Sequence, residues 1–345
     1  VEVTLLRLRL IFILLLVVSA SSAQTILGYV YDGAKGVPLE GASVYLDGTT
    51  YGVISDQEGK FVIATDRKVK ADLIISYIGY TSVREGDPYR GEVLEVVLQE
   101  TQATLEAVTV RTGKEYWSRA KMLREFKKQF LGPGRPGELC RIENEEDIDL
   151  WFQPENETLK ATADVPIRIQ NNFLGYSIEY NLSEFEAKYD APERKDPYCR
   201  FVYYEGSSFY SDMASSPAMK EIFRLQRGNS YDGSVQHFFR SMIADDLRGQ
   251  GYSFYIDDLE ISPGRVYTIE QMEDHFLVYF KRNFILNYQK KLTSRVVVKD
   301  QKLPIKVYPD GNYEPARRIR FDGDLGFYRL AKTLPLNYRS TDQSR

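Results

Sequence analysis

The chain is poor in the residues that carry most catalytic chemistry: 345 residues hold two histidines and two cysteines. Small secreted scaffolds stapled by disulfides need far more cysteine than this. A zinc peptidase needs two histidines and a carboxylate on the metal, with His and Glu typically three positions apart. Three positions after His237 stands Arg240, and three after His275 stands Val278, so zinc peptidase activity is not expected. Also missing are a Gly-x-Ser-x-Gly nucleophile elbow, a phosphate loop and a dinucleotide fingerprint. No cofactor is implied. Charge bias is lacking too: 45 Lys and Arg stand against 49 Asp and Glu. Without a basic stripe, nucleic acid is not an expected partner. The one basic patch, Arg317-Arg-Ile-Arg320, reads as the exposed face of a strand. Long apolar runs are limited to Leu10–Val18, well short of the roughly 20 residues that span a bilayer.

That short run has a meaning of its own. Arg7 and Arg9 precede it and Ser21-Ser-Ala23 follows it, the charged start and small-residue cleavage site of an export signal. Residues 1–23 are therefore expected to be a signal peptide and Gln24 the mature start, with no cysteine there to take a lipid. The mature chain is expected in the periplasm or at the outer membrane, without a transmembrane helix. The remaining length suits two domains at roughly 100–200 residues each. With 43% hydrophobic and 27% charged residues, the composition is that of an ordinary folded protein.

The first domain, expected over 24–98, reads as β. Ile26, Gly28 and Val30 alternate with Leu27, Tyr29 and Tyr31, and Ala42, Val44 and Leu46 repeat the period of a half-buried strand. Asp32-Gly33 and Gly36-Val-Pro38 break the first pair, and Ser55-Asp-Gln-Glu-Gly59 is a tight connection. Phe61 and Ile63 point inward after it; Leu73, Ile75 and Tyr77 make a further strand, and Leu94, Val96 and Leu98 the last. Short strands at this spacing predict a sandwich of the seven-strand transthyretin or Ig-like type.

Pro38-Leu-Glu-Gly-Ala42, Gly52 to Phe61, Ser76-Tyr-Ile-Gly-Tyr80 and Leu105-Glu-Ala-Val-Thr-Val110 resemble the carboxypeptidase-like regulatory domain, with Ser55 where the family usually has Thr. The resemblance implies a transthyretin-like sandwich at the N-terminus of an exported protein of the Bacteroidota type. It implies no peptidase activity, because the name describes an accessory fold. Similar domains precede the plug and barrel of TonB-dependent outer-membrane receptors. A receptor-sized barrel, built of many segments of about ten alternating residues, does not fit into the length that follows here.

A linker is expected over 99–116 and a larger α+β domain over 117–340, with an antiparallel sheet and two or three helices; the whole is mainly β with some α. Glu115 to Leu131 reads as an amphipathic helix with Trp117, Ala120, Leu123, Phe126 or Lys127, and Phe130 on one face, ended by Gly132-Pro-Gly134 and Pro136-Gly137. Strands are expected at 149–152, 159–162, 167–169, 176–185, 252–256, 275–280, 284–288 and 295–298. Pro217 to Arg227 reads as a short helix, and Ser234 caps a longer one with the stripe Val235, Phe238, Phe239, Met242, Ile243 and Leu247. Lys121 to Phe126, Gly175 to Tyr180, Tyr231 to Arg240, Asp310-Gly-Asn312 and Leu334 to Tyr338 resemble, as a set, the uncharacterised domain that follows this sandwich in exported Bacteroidota proteins. No reaction comes with that resemblance.

Candidate contacts are few. His237 and Arg240 lie beside one another on a helix surface, as an anion or carbohydrate contact or as a plain structural pair. Tyr203-Tyr204 and Tyr252–Tyr255 stand out in a chain with 25 tyrosines and 2 tryptophans, a residue suited to glycan or peptide contact and equally to strands. Cys140 and Cys199 either pair, which in the chain-entropy picture contributes about 4 kcal/mol, or stay as separate buried thiols. The acidic loop Glu143-Asn-Glu-Glu-Asp147 lacks the spaced ligands of a calcium loop and reads as a solvated turn. The expected function is an exported, non-catalytic binding or scaffold protein of the cell envelope, its partner an envelope protein, a peptide or a glycan. An accessory role in a TonB-dependent uptake system and an unrecognised hydrolase are the alternatives.

Overall fold

The structure, a computed structural model, describes residues 24–101 and 116–340. The expected signal peptide, most of the expected linker and the Leu105–Val110 segment lie outside the described residues. Two compact units emerge, one of residues 24–45, 51–68 and 72–101, the other of residues 46–50, 69–71 and those from 116 onward.

The first unit's stretch of sequence carries seven strands among the described residues: β1 Gln24–Asp32, β2 Ser43–Leu46, β3 Gly52–Ile54, β4 Lys60–Thr65, β5 Leu73–Ser76, β6 Val83–Glu85 and β7 Leu94–Leu98. They form two sheets, β4-β1-β7 and β3-β2-β5-β6, the expected β-sandwich. Burial alternates along β1, β4 and β7 as the sequence period requires. Ile26, Val30, Phe61, Ile63, Leu94 and Val96 fill one side of the core, and Val44, Leu73 and Ile75 the other. β1 runs antiparallel to β4 and parallel to β7. The two strands that the alternation does not announce, β3 and β6, are three residues each and incompletely buried.

Turn residues close the sandwich by specific bonds. Ser55 Oγ accepts from the Ala42 N–H at 2.9 Å and donates to the Leu39 carbonyl at 2.6 Å. Only a hydroxyl is needed for that, which is why Ser serves in place of Thr. Asp32 accepts from the N–H groups of Ala34 (2.8 Å) and Lys35 (3.0 Å) and from the Tyr80 hydroxyl (2.7 Å). The Tyr80 bond, with the Lys35 N–H next, holds its carboxyl down to about 2.

The second unit is α+β. Its elements are α1 Arg119–Phe130, α2 Gly134–Glu138, β8 Cys140–Ile142, β9 Ile148–Gln153, β10 Thr158–Ala163, β11 Ile167–Asn171, β12 Tyr176–Asp190, β13 Tyr198–Asp212, α3 Pro217–Tyr231 and α4 Val235–Ile243. Nine strands follow: β14 Tyr252–Ile256, β15 Leu259–Ile261, β16 Tyr267–Gln271, β17 Phe276–Phe280, β18 Phe284–Tyr288, β19 Leu292–Val298, β20 Ile305–Val307, β21 Tyr313–Glu314 and β22 Ile319–Gly323. Three sheets result, not one: β8-β11-β12-β10-β9 with β13 on the other side of β12, β15-β14-β18-β19-β22, and β16-β17-β20-β21.

Among the described residues, four helices stand where two or three are expected. The Gly/Pro-rich stretch ends α1 and then makes α2, because Pro136 sits in the first turn, where a backbone N–H has no intrahelical partner to lose. α1 starts later than expected: the Ser118 hydroxyl accepts from the Lys121 N–H at 3.3 Å. Its buried face is Met122, Glu125, Phe126 and Phe130, whereas Ala120 is exposed. Lengths of the next two helices are the reverse of expectation, α3 running 15 residues and α4 only 9. Two cores result. Phe126 and Phe130 pack on Phe185 and Tyr180 of the first sheet, each contributing about 1.5–3 kcal/mol by burial. Phe238, Phe239 and Met242 of α4 pack on the other two sheets.

Candidate functional site

His237 and Arg240 are both engaged by hydrogen bonds within the second unit. His237 is 3% exposed and ringed by Tyr231, Tyr252 and Tyr288. Its Nδ1 accepts from the Gly233 N–H at 3.0 Å, so the proton resides on Nε2, which faces Gln250 Oε1 at 3.2 Å. Burial pulls its pKa below the usual range, with Gln250 opposing. Arg240 donates from Nε to the Asp310 carbonyl (2.8 Å) and from Nη1 and Nη2 to the carbonyls of Tyr338 and Leu336 (both 2.9 Å). With its donors on main chain, it holds the C-terminal segment. The second histidine, His275, contacts Asp274 at 2.6 Å.

The cysteines are free thiols, donating to nearby carbonyls of Pro136 and Phe201. Strand register explains why they do not pair. Cys140 lies beside Asn171, which pairs with Tyr176 at one end of β12, while Cys199 pairs with Tyr189 near the other end. At ~3.3 Å per residue the two are separated by something on the order of 40 Å of strand, against the 4.4–6.8 Å that a disulfide requires. Burial pushes Cys140 up to about 12 and Cys199 up to about 11. In the acidic loop, Glu145 is taken by Lys127 at 2.8 Å, and Asp147 accepts from Asn144 at 2.9 Å.

Tyr203 and Tyr204 part company, as consecutive strand residues must. Tyr204 packs inward on Phe130 and Tyr180, and burial raises its pKa. Tyr203 faces out. The Arg317 guanidinium stacks over its ring at 4.3 Å and donates to its hydroxyl at 2.8 Å, while also bridging Glu184 (2.7 Å) and Glu205 (3.3 Å). Among the tyrosines of 252–255, Tyr252 is core and Tyr255 reaches Glu260 at 3.5 Å.

Beside Tyr203 the second unit opens into a groove of about 860 Å³. Its lining comes from Pro197 to Val202 at the start of β13, Lys128 and Gln129 of α1, Pro133, Arg295 of β19, residues 320–323 of β22, and Gly326, Phe327 and Arg329 after it. Register dictates the β19 and β22 part of that lining. Arg295 pairs with Asp322, and Arg320 lies two residues along β22, so all three project from the same sheet face. Gly323 ends β22 at φ +79°, where a Cβ would lie 2.6 Å from the Thr293 carbonyl, so only glycine lets the chain turn there. The turn brings Leu325 onto the Ser294 hydroxyl (2.9 Å) and leaves Phe327 outside. Arg329 is placed by the tight packing of Gly132, whose Cβ would lie 3.1 Å from that of Arg329, and by the Ala331 N–H bond to the Leu131 carbonyl at 3.0 Å.

Two properties distinguish the groove. Aromatic side chains stay in water: Tyr198 is 70% exposed, Phe327 60% and Phe201 41%. Its charge is one-sided, five cations against Asp322. Arg320 holds Asp322 at 2.9 Å and Arg200 holds Asp190 at 3.2 Å. Lys128, Arg295 and Arg329 have no ion-pair partner among the described residues. Neither histidine lines the groove. Sequence reasoning reached only its rim, through Tyr203 and the patch ending in Arg320; the rest sit far apart in sequence and each reads as a solvated charge.

Among the described residues no three His, Cys, Asp or Glu side chains gather as metal ligands would, and no helix is long and apolar enough to cross a membrane. No curated protein is similar enough to match the chain. The CarboxypepD_reg-like domain family matches residues 26–110. That match and the two-sheet sandwich agree: residues 26–110 are similar to the CarboxypepD_reg-like domain family.

Proposed function

We propose that the protein is an exported, non-catalytic binding protein of the bacterial cell envelope, organised as a sandwich over 24–98, a linker over 99–116 and a ligand-binding domain over 117–340. The carrying observation is the groove of the second unit, where exposed aromatic rings and unpaired cations line one concavity. Monomer surfaces rarely keep such groups together without a partner. The CarboxypepD_reg-like match and the signal-like residues 1–23 support an envelope address. Hydrolysis has nothing in its favour: His237 is enclosed by tyrosines, and His275 lies outside the groove.

A photo-crosslinking residue at Phe201, in cells making the full chain, tests this. Adducts with an envelope component are expected from Phe201 and not from the exposed Ile222 of α3. Equal adducts from both sites, adducts with cytoplasmic proteins alone, or none at all would overturn it. An accessory role beside an outer-membrane receptor is the second reading, favoured by the sandwich's family match; a receptor as the captured component decides for it.

A further inference from the structure

We infer that the groove takes an extended acidic peptide, its main chain paired with the outer edge of β13 and its carboxylates on Lys128, Arg295 and Arg329. This rests on the reading of the groove as the ligand site. β13 pairs with β12 alone among the named strands, and from Tyr198 to Glu205 its outer edge makes no backbone–backbone hydrogen bond among the described residues. In an antiparallel pair, alternate residues turn both N–H and C=O to that outer side, a ready template for another chain. Further along, the same edge already holds an extended segment of the second unit. Thr49 bridges Phe209 in parallel, and the Tyr210 N–H donates to the Thr49 carbonyl at 3.0 Å. A strand added between Tyr198 and Glu205 repeats that pairing.

Charge selects the occupant. Edge strands often carry cations of their own to repel unwanted pairing, yet here the unpaired ones come from α1, β19 and the chain after β22, which line the same groove as the start of β13. An added strand presents alternate side chains to that lining, so carboxylates at every second position meet the cations. The residues between them are apolar, against exposed Phe201 and Tyr198.

The test uses the purified full chain and the peptide Ac-Glu-Val-Glu-Phe-Glu-Val-NH2, read by fluorescence anisotropy. Binding is expected that weakens with salt and falls about tenfold or more with Lys128→Glu plus Arg295→Glu, a difference of about 1.4 kcal/mol or above. Methylating alternate amides should abolish it, and the Lys-for-Glu peptide should not bind. Amide exchange of wild-type Tyr198–Glu205 should slow on saturation, a readout that needs no variant to fold. No binding, or equal binding of the methylated peptide, overturns the proposal. Binding of oligogalacturonate with no peptide binding overturns it while sparing the groove. If the charge-reversed protein still yields the same Phe201 adducts, the groove reading itself falls.

Discussion

Around α4, Arg240 ends on three main-chain carbonyls, and a buried His237 has both ring nitrogens accounted for. In the groove, Arg295 and Arg329 have the same guanidinium and, among the described residues, no carboxylate to hold. Residue type is shared, and partnering differs. Arg240 and His237 look like the better site in sequence, being adjacent on one helix, but bonded donors are unavailable to a ligand. Groove cations look like scattered surface charge and become a site only through the sheets that carry them. A polar residue's role follows from whether its hydrogen-bonding capacity is already used.

The contrast makes a stability prediction first. Arg240→Ala strands the Tyr338 carbonyl and leaves those of Asp310 and Leu336 to Gln236 Nε2 alone; at roughly 1–3 kcal/mol for an unsatisfied buried group, the loss should be about 1–3 kcal/mol in urea unfolding. Arg295→Ala should stay within about 0.5 kcal/mol. Equal losses would erase the distinction between the two centres.

A smaller effect is expected with pH. Burial depresses the folded pKa of His237 below its ordinary 6.5. Below that ordinary value the unfolded chain takes up a proton that the folded chain refuses, so the sign is loss of stability on acidification. The loss begins as pH falls through about 6.5 and continues down to the depressed folded value, with a slope of at most about 1.4 kcal/mol per pH unit. His237→Gln should flatten this part of the stability profile between pH 7 and 5; an unchanged profile would mean that the imidazole is not the titrating group. Smallest of all, reductant should leave the unfolding midpoint where it is, because Cys140 and Cys199 are separate thiols. A drop of about 3–4 kcal/mol on reduction would reveal a cross-link.

Legibility in sequence differs sharply between regions. β1, β4 and β7 alternate with period two, and their buried residues are the ones that pattern selects. β13 has no such pattern. Gly206-Ser-Ser208 interrupts it, its burial is irregular and a register shift near Cys199 breaks its pairing with β12. The groove was therefore hidden, although Tyr203 lies next to its lining residue Val202. α1 is visible in sequence and most of its expected face is the buried one, with Trp117, Leu123, Phe126 and Phe130 on the core, but Ala120 is exposed and Met122 takes its place.

By itself the sequence determined that this chain begins its described fold with a CarboxypepD_reg-like sandwich, that a larger α+β part follows, and that Ser234 starts a helix. Those conclusions rest on periodicity and capping, which act over a few residues. Only the tertiary structure decided that Cys140 and Cys199 stay apart, that His237 and Arg240 are bonded inward, and that Lys128, Arg295 and Arg329 line one groove with the start of β13. The physical reason is common to all three. Whether a polar group is paired depends on strands brought together from distant parts of the chain, and their register is not written in any local pattern.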